Sequence, residues 1–116
     1  MPPLAEYNID DFVAVYAGDT DIIQEIIDIF LEEAPERLSA LQSALATGSY
    51  DGVDRVAHSL ANTSGTLKAE VTLDLSRAVE NAVRSGNERE IATLLPQLID
   101  SLSEVITKVR EYRDTL

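Results

Sequence analysis

The sequence has 116 residues, of which 45% are hydrophobic, and this length and composition predict one folded domain over residues 1–116. Nine Lys and Arg against 21 Asp and Glu give a net charge of −12, which argues against nucleic acids and anionic membranes as partners. The absence of Cys excludes disulfides and thiolate metal sites. No apolar run approaches the ~20 residues of a membrane-spanning helix, and the acidic N-terminus is unlike a signal peptide. We therefore expect a cytoplasmic protein without membrane insertion.

The spacing of apolar residues predicts an all-α protein, because they recur three and four positions apart and no stretch alternates with the period of a β-strand. Asn8 suits the N-cap of a short first helix, which Gly18 ends. A long second helix follows and ends at Gly48. Pro35 lies inside it and predicts a kink, or alternatively a break into two helices. Three residues are candidates for its N-cap: Asp19, Thr20 and Asp21.

Three further helices are predicted downstream. Ser49 can cap the third, Gly86 ends the fourth, and Asn87 with Glu90 caps the fifth. In the fifth helix, where Pro96 predicts another kink, apolar residues alternate spacings of four and three, a seam typical of bundles: Ile91, Leu95, Leu98, Leu102, Val105, Val109, Tyr112 and Leu116. Short connections favour antiparallel neighbours, so we expect an up-and-down antiparallel four-helix bundle with a short additional N-terminal helix.

His58 is the candidate reactive residue that remains after metal and nucleotide sites are excluded. A single His cannot supply a di-metal carboxylate site, no metal site is expected, and no Gly-rich loop predicts a nucleotide site. His58 lies about 200° around its helix from Leu60, so the imidazole should be exposed. An exposed helical His can also be ordinary surface. Its predicted surroundings within two turns are Asp54, Arg55, Ala61, Asn62 and Gly65.

The chain from about residue 8 to 114 resembles the histidine-containing phosphotransfer (HPt) domain of bacterial two-component phosphorelays. The resemblance is carried by Gly18-Asp19, by the segment Phe30–Leu38 and by Ala57-His58-Ser59-Leu60. Further residues stand where the family commonly has Ala, Leu, Leu, Glu, Arg and Gly: Ala69, Leu75, Val79, Glu80, Arg84 and Gly86.

The resemblance implies that His58 accepts a phosphoryl group from a receiver-domain aspartate and passes it to another receiver domain. Neutral Nε2 would be the nucleophile, and Mg²⁺ would be bound by the partner receiver, with no cofactor on this chain. It also implies a monomeric carrier without turnover of its own, which is not an independent enzyme. The expected docking face is the exposed side of the third helix with parts of the first two, including Phe12, Val13, Tyr16, Asp54 and Ser59. The three residues of the first helix could instead be core.

Three departures from the family pattern affect the predicted site. The family motif is His-x-Leu-Lys-Gly, followed by another Gly ten residues after the His, whereas this chain has Ala61, Asn62 and Lys68 at those positions. Asn62 should overhang His58, where it orients the imidazole or obstructs the approach. Arg55 and Lys68 are the cations expected to replace the missing charge, and Gly65 should leave local room.

Two alternatives remain open at the sequence level. A degenerate member of the family would keep the bundle but bind a receiver or kinase without phosphotransfer, as Ala61 and Asn62 would favour. The dimerisation helix pair of a sensor kinase also displays a phosphorylated His. It usually has an acidic residue after the His, where this chain has Ser59, and it needs a second chain to complete four helices.

Overall fold

The computed structural model describes residues 7–116, which form five helices and no strand; residues 1–6 of the expected domain lie outside the described part. The helices are α1 (Ile9–Val15), α2 (Thr20–Thr47), α3 (Val53–Thr66), α4 (Glu70–Arg84) and α5 (Glu88–Arg113). Helices α2 and α4 each pack against both α3 and α5, so the four long helices surround one core, and α1 packs on α5. The all-α class and the bundle with a short N-terminal helix are confirmed.

Bonds between helices establish the antiparallel arrangement. Arg113 near the end of α5 binds Asp28 in the first half of α2, with Nε 2.7 Å from Oδ1. The buried hydroxyls of Thr72, early in α4, and Ser101, in the middle of α5, are 2.6 Å apart. Within residues 7–116, no helix combines the length and apolarity of a membrane span.

Polar residues that the sequence offers as caps stand at the N-termini of three of the five helices. Asn8, Asp19 and Asn87 each accept a hydrogen bond from a backbone N–H of the following turn. The prediction of Ser49 as the cap of α3 is wrong. That helix begins after Gly52, whose φ of 80° lets the chain turn into the helix without a side-chain cap.

The two internal prolines are accommodated in continuous helices. Helix α2 runs through Pro35 and α5 runs through Pro96, so the alternative of a break at Pro35 is wrong. Along α5 the predicted seam is buried from Ile91 to Val109, but Tyr112 is half-buried and Leu116 is exposed. Leu116 lies beyond Arg113, where the helix ends, and therefore cannot continue the seam.

Lys68 occupies the turn between α3 and α4 and has a φ of 58°. Helix α3 ends at Thr66, and the N–H of Ala69 closes the turn on the carbonyl of Ser64 at 2.9 Å. Lys68, which the sequence suggests as a replacement for the missing charge, therefore lies past the end of the helix that carries His58. The family Gly at this position is explained by the left-handed backbone, which Gly adopts without strain.

Lys68→Gly should raise the free energy of unfolding by about 0.5–1 kcal/mol, because it relieves the cost of a left-handed conformation at a residue with a Cβ. Denaturant unfolding measures the change. Lys68→Ala is the matched control, since it removes the same charge and retains the strained backbone. An equal gain in both variants would assign the effect to the lysine side chain instead.

Tyr7 joins the segment before α1 to the end of α3. Its buried hydroxyl donates a 2.8 Å hydrogen bond to the carbonyl of Leu67. Burial, and secondarily the nearby charge of Asp11, raises the pKa of the Tyr7 phenol well above its ordinary value. Neutral Tyr7 therefore helps to hold the start of α1 against the α3–α4 turn.

Tyr7→Phe should lower the free energy of unfolding by about 1 kcal/mol at neutral pH, through loss of the hydrogen bond. A raised pKa in the folded state stabilises the fold fully below the unfolded pKa of about 10, and this contribution declines as the pH rises above it. The advantage of the wild type over Tyr7→Phe should accordingly shrink above about pH 10. Chemical denaturation of both proteins across this range is the measurement, and a constant difference would contradict the prediction.

Candidate functional site

His58 lies in the middle of α3 with its side chain 59% exposed, as the helical geometry predicts. Its neighbours Ala57 and Leu60 are buried in the core. One side of α3 is therefore held by packing in the core, and the imidazole projects from the opposite, solvent-exposed side. A rigid helix that presents an exposed imidazole satisfies the first requirement of a nucleophile that must meet a macromolecular partner.

Glu80 on α4 fixes the orientation and tautomer of the imidazole. Its Oε2 atom lies 2.9 Å from Nδ1 of His58. A carboxylate only accepts hydrogen bonds, so Nδ1 is assigned as the donor and Nε2 carries the free lone pair. Among the described residues no bond to Nε2 is formed, and this atom is available for reaction.

Arg84 supports Glu80 one turn further along α4. Its Nη2 atom forms an ion pair with the same Oε2 at 2.8 Å, and its Nε lies 4.0 Å from Oδ2 of Asp54 on α3. The Glu80 side chain is only 10% exposed, and the hydrogen bond from His58 together with the charge of Arg84 compensates the burial of its charge. The contacts connect four side chains in the order His58, Glu80, Arg84 and Asp54, with two from each helix, which matches the antiparallel register of α3 and α4.

The sequence analysis assigned no role at the site to Glu80 or Arg84. Both stood only among the positions of family resemblance. Their spacing of four residues places them on one face of α4, and this acidic–basic pair was the sequence feature that could have indicated a role for them. The opposite residue on α3 could not be identified without the register between the helices.

The structure separates the predicted supporting residues. Ala61 is buried, at 7% exposure, so the expectation that it lies on the surface beside His58 is wrong. Asn62 is exposed, and an added Cβ at Gly65 would have no neighbour within 4 Å. Arg55 is exposed and reaches back over Gly52. Its guanidinium therefore lies toward the α2–α3 connection.

The predicted docking residues of α1 are mostly occupied with the core. Phe12 is fully buried and packs edge-on against Tyr16, with ring centroids 5.4 Å apart, so its prediction as a docking residue is wrong. Val13 and Tyr16 are half-buried against the same core. On α3, Asp54 and Ser59 are half-buried on either side of His58. Helix α1 contributes less surface than expected because its aromatic face closes the bundle.

An apolar groove of about 230 Å³ lies between α2 and α3, next to the His58 turn. Ile26, Ile29 and Phe30 line it from α2, and Asn62 lines it from α3. Ile29 is 51% exposed and Ile22, about two turns earlier on α2, is 41% exposed. An exposed aliphatic side chain such as Ile29, in a groove that reaches the turn after a candidate nucleophile, favours a protein-binding surface. Over residues 7–116, the structure brings no three metal-ligating side chains together.

Similarity to known proteins extends over most of the chain. The family model for the Hpt domain matches residues 25–108, a range that contains His58, Glu80 and Arg84. The chain is also 27% identical over 95 residues to the signal transduction histidine-protein kinase BarA of Shigella flexneri, and 26% identical over 95 residues to BarA of Escherichia coli K12. Each match covers 82% of this chain and 10% of the relative, so the chain spans about a tenth of the length of these kinases. No solved structure matches significantly.

Glu80→Ala should shift the tautomer ratio of neutral His58 toward Nε2–H by about ten-fold or more, because a hydrogen bond to a charged group contributes about 1.5–3 kcal/mol. Imidazole ¹⁵N chemical shifts measure the ratio. Glu111→Ala removes an exposed carboxylate from the far end of α5 and should leave the ratio unchanged. An unaltered ratio in Glu80→Ala would contradict the assignment of Nδ1 as the donor.

Proposed function

Because the chain belongs to the Hpt domain family, we propose that it carries a phosphoryl group on His58 between receiver domains of a two-component phosphorelay. It would accept the group from the aspartyl phosphate of one receiver and pass it to the aspartate of another. The observation that supports this most directly is the exposed Nε2 of His58, with Nδ1 held by Glu80.

The chemistry requires a lone pair on Nε2 and a place for the positive charge that develops on the imidazole. Nε2 attacks phosphorus, the N–P bond forms, and the P–O bond to the donor aspartate breaks with the electron pair leaving on its carboxylate. The proton stays on Nδ1, where the Glu80 carboxylate stabilises the cationic ring. Mg²⁺ bound by the receiver would supply positive charge to the transferring group. Transfer to the next receiver is the same step in reverse.

A carrier of this kind needs no cofactor and no catalytic turnover of its own. Family membership supports a phosphotransfer carrier rather than an independent enzyme. We propose a cytoplasmic monomer whose partners are receiver domains of response regulators or hybrid kinases. The similarity to part of a histidine-protein kinase is compatible with such partners.

The proposed docking surface surrounds His58 and extends over the α2–α3 groove. Ile22 and Ile29 supply exposed apolar area on α2, while Asp54 and Ser59 flank the imidazole. Val13 and Tyr16 add only their uncovered edges. The proposed docking surface therefore lies mainly on α2 and α3, with a smaller part of α1 than the sequence led us to expect.

Binding without phosphotransfer is the second candidate function, favoured by the absence of the family Lys and Gly at Ala61 and Asn62. Ala61 is uncharged and buried, so this position contributes no cation to the surface around His58. The intact contacts of Glu80 with His58 and Arg84 favour the active form. A stable complex with phosphorylated receivers, without transfer, would support the second candidate.

His58→Gln should abolish labelling by receivers phosphorylated with ³²P, because no other imidazole exists in the chain. Helical content and thermal midpoint should change little, since the side chain is exposed. In the wild type the label should be acid-labile and base-stable, as expected of phosphohistidine. Ser39→Ala, at an exposed residue of α2 outside the proposed docking surface, is the control and should retain labelling. Label that persists in His58→Gln would place the phosphoryl group elsewhere and overturn the assignment.

A further inference from the structure

Asn62 connects the reactive imidazole to the apolar groove. It is exposed on α3 one turn after His58, about 6 Å further along the helix axis. It also lines the groove together with Ile26, Ile29 and Phe30 of α2. A partner protein that contacts both the His58 imidazole and the α2–α3 groove must therefore also cover the Asn62 side chain.

The Asn62 amide forms no side-chain hydrogen bond with residues in the described range, 7–116. Its backbone carbonyl accepts a bond from the Thr66 hydroxyl at 3.2 Å, which leaves the side chain uninvolved. The imidazole obtains its orienting bond from Glu80 instead. Asn62 is thus not needed to orient His58, and its donor and acceptor groups are both presented to an incoming partner.

We propose that Asn62 is a specificity-determining residue for the receiver domain that exchanges a phosphoryl group with His58. The inference rests on the proposed function and deepens it. A receiver that offers a hydrogen-bonding group opposite the amide is accepted, and a receiver that covers the amide with an apolar side chain is rejected.

The size of protein interfaces makes contact with Asn62 unavoidable. Even a small transient interface buries several hundred Å² per partner, a patch with a radius of more than about 10 Å. A receiver centred on Nε2 therefore covers a side chain that lies one turn away. Leaving a buried amide unpaired lowers affinity by roughly ten-fold or more, whereas a paired amide is nearly neutral, so the penalty depends on the partner.

Asn62→Ala tests this inference because it removes the amide and keeps a strong helix former. Two phosphoryl donors are compared. The first is a panel of purified bacterial receiver domains phosphorylated with acetyl phosphate, and the second is phosphoramidate, which is too small to cover Asn62. Gln42→Ala is the matched control, since Gln42 is an exposed helical amide on α2 near the opposite end of the groove-bearing helix.

Removal of the amide should change the ratio of kcat/KM between the best and the poorest receivers by about ten-fold, mainly through KM. Labelling of His58 by phosphoramidate should stay within about two-fold of the wild type, because Glu80 still orients the ring. Gln42→Ala should leave both measurements unchanged.

Two results would overturn the role of Asn62 while leaving the proposed function intact. Equal acceleration with every receiver would show that Asn62 is only a steric obstacle. A parallel change with phosphoramidate would show that it acts on His58 itself. If the wild type accepts a phosphoryl group from no receiver, the proposed function fails, and the specificity role fails with it.

Discussion

The nearly buried carboxylate of Glu80 is the interaction on which the site depends. A single oxygen accepts a hydrogen bond from His58 on one helix and forms an ion pair with Arg84 on its own helix. Without these partners, a carboxylate at 10% exposure would be costly between α3 and α4. The same bonds give His58 one orientation and one tautomer. Helix packing and nucleophile geometry are therefore determined together, and a change that disturbs either should disturb the other.

The α3–α4 turn sets the register that brings these side chains together. Only Leu67, Lys68 and Ala69 separate the two helices, so a small change in the turn would displace α4 along α3. Lys68 accepts a left-handed backbone there, and the carbonyl of Leu67 is bound by Tyr7. The local strain at Lys68 is tolerated because the closed turn and the buried helix faces specify the same arrangement. The residues that position His58 thus extend well beyond its immediate neighbours.

Local patterns predicted the helices well, because caps and apolar spacing depend on residues within one or two turns. Asn8, Asp19 and Asn87 cap their helices, and the exposure of His58 follows from its angle to Leu60. The failures depend on contacts across the bundle. Phe12 is buried because α5 and the core cover α1, and no local pattern distinguishes this from an exposed aromatic face. The bond from Glu80 to His58 likewise requires the interhelical register, which the turn at Lys68 determines.

The charges around His58 bear on how a phosphoryl group would be held under the proposed function. Arg84 is already shared by Glu80 and Asp54, and Ala61 provides no cation where the family has Lys. A phosphoryl group on Nε2 would therefore stand near two carboxylates and one arginine, on a chain with a net charge of −12. Such surroundings give little stabilisation to an anionic group, which favours its onward transfer over its retention. The same lack of local attraction leaves recognition of the partner to contact surfaces, and this is where the α2–α3 groove and the Asn62 amide lie.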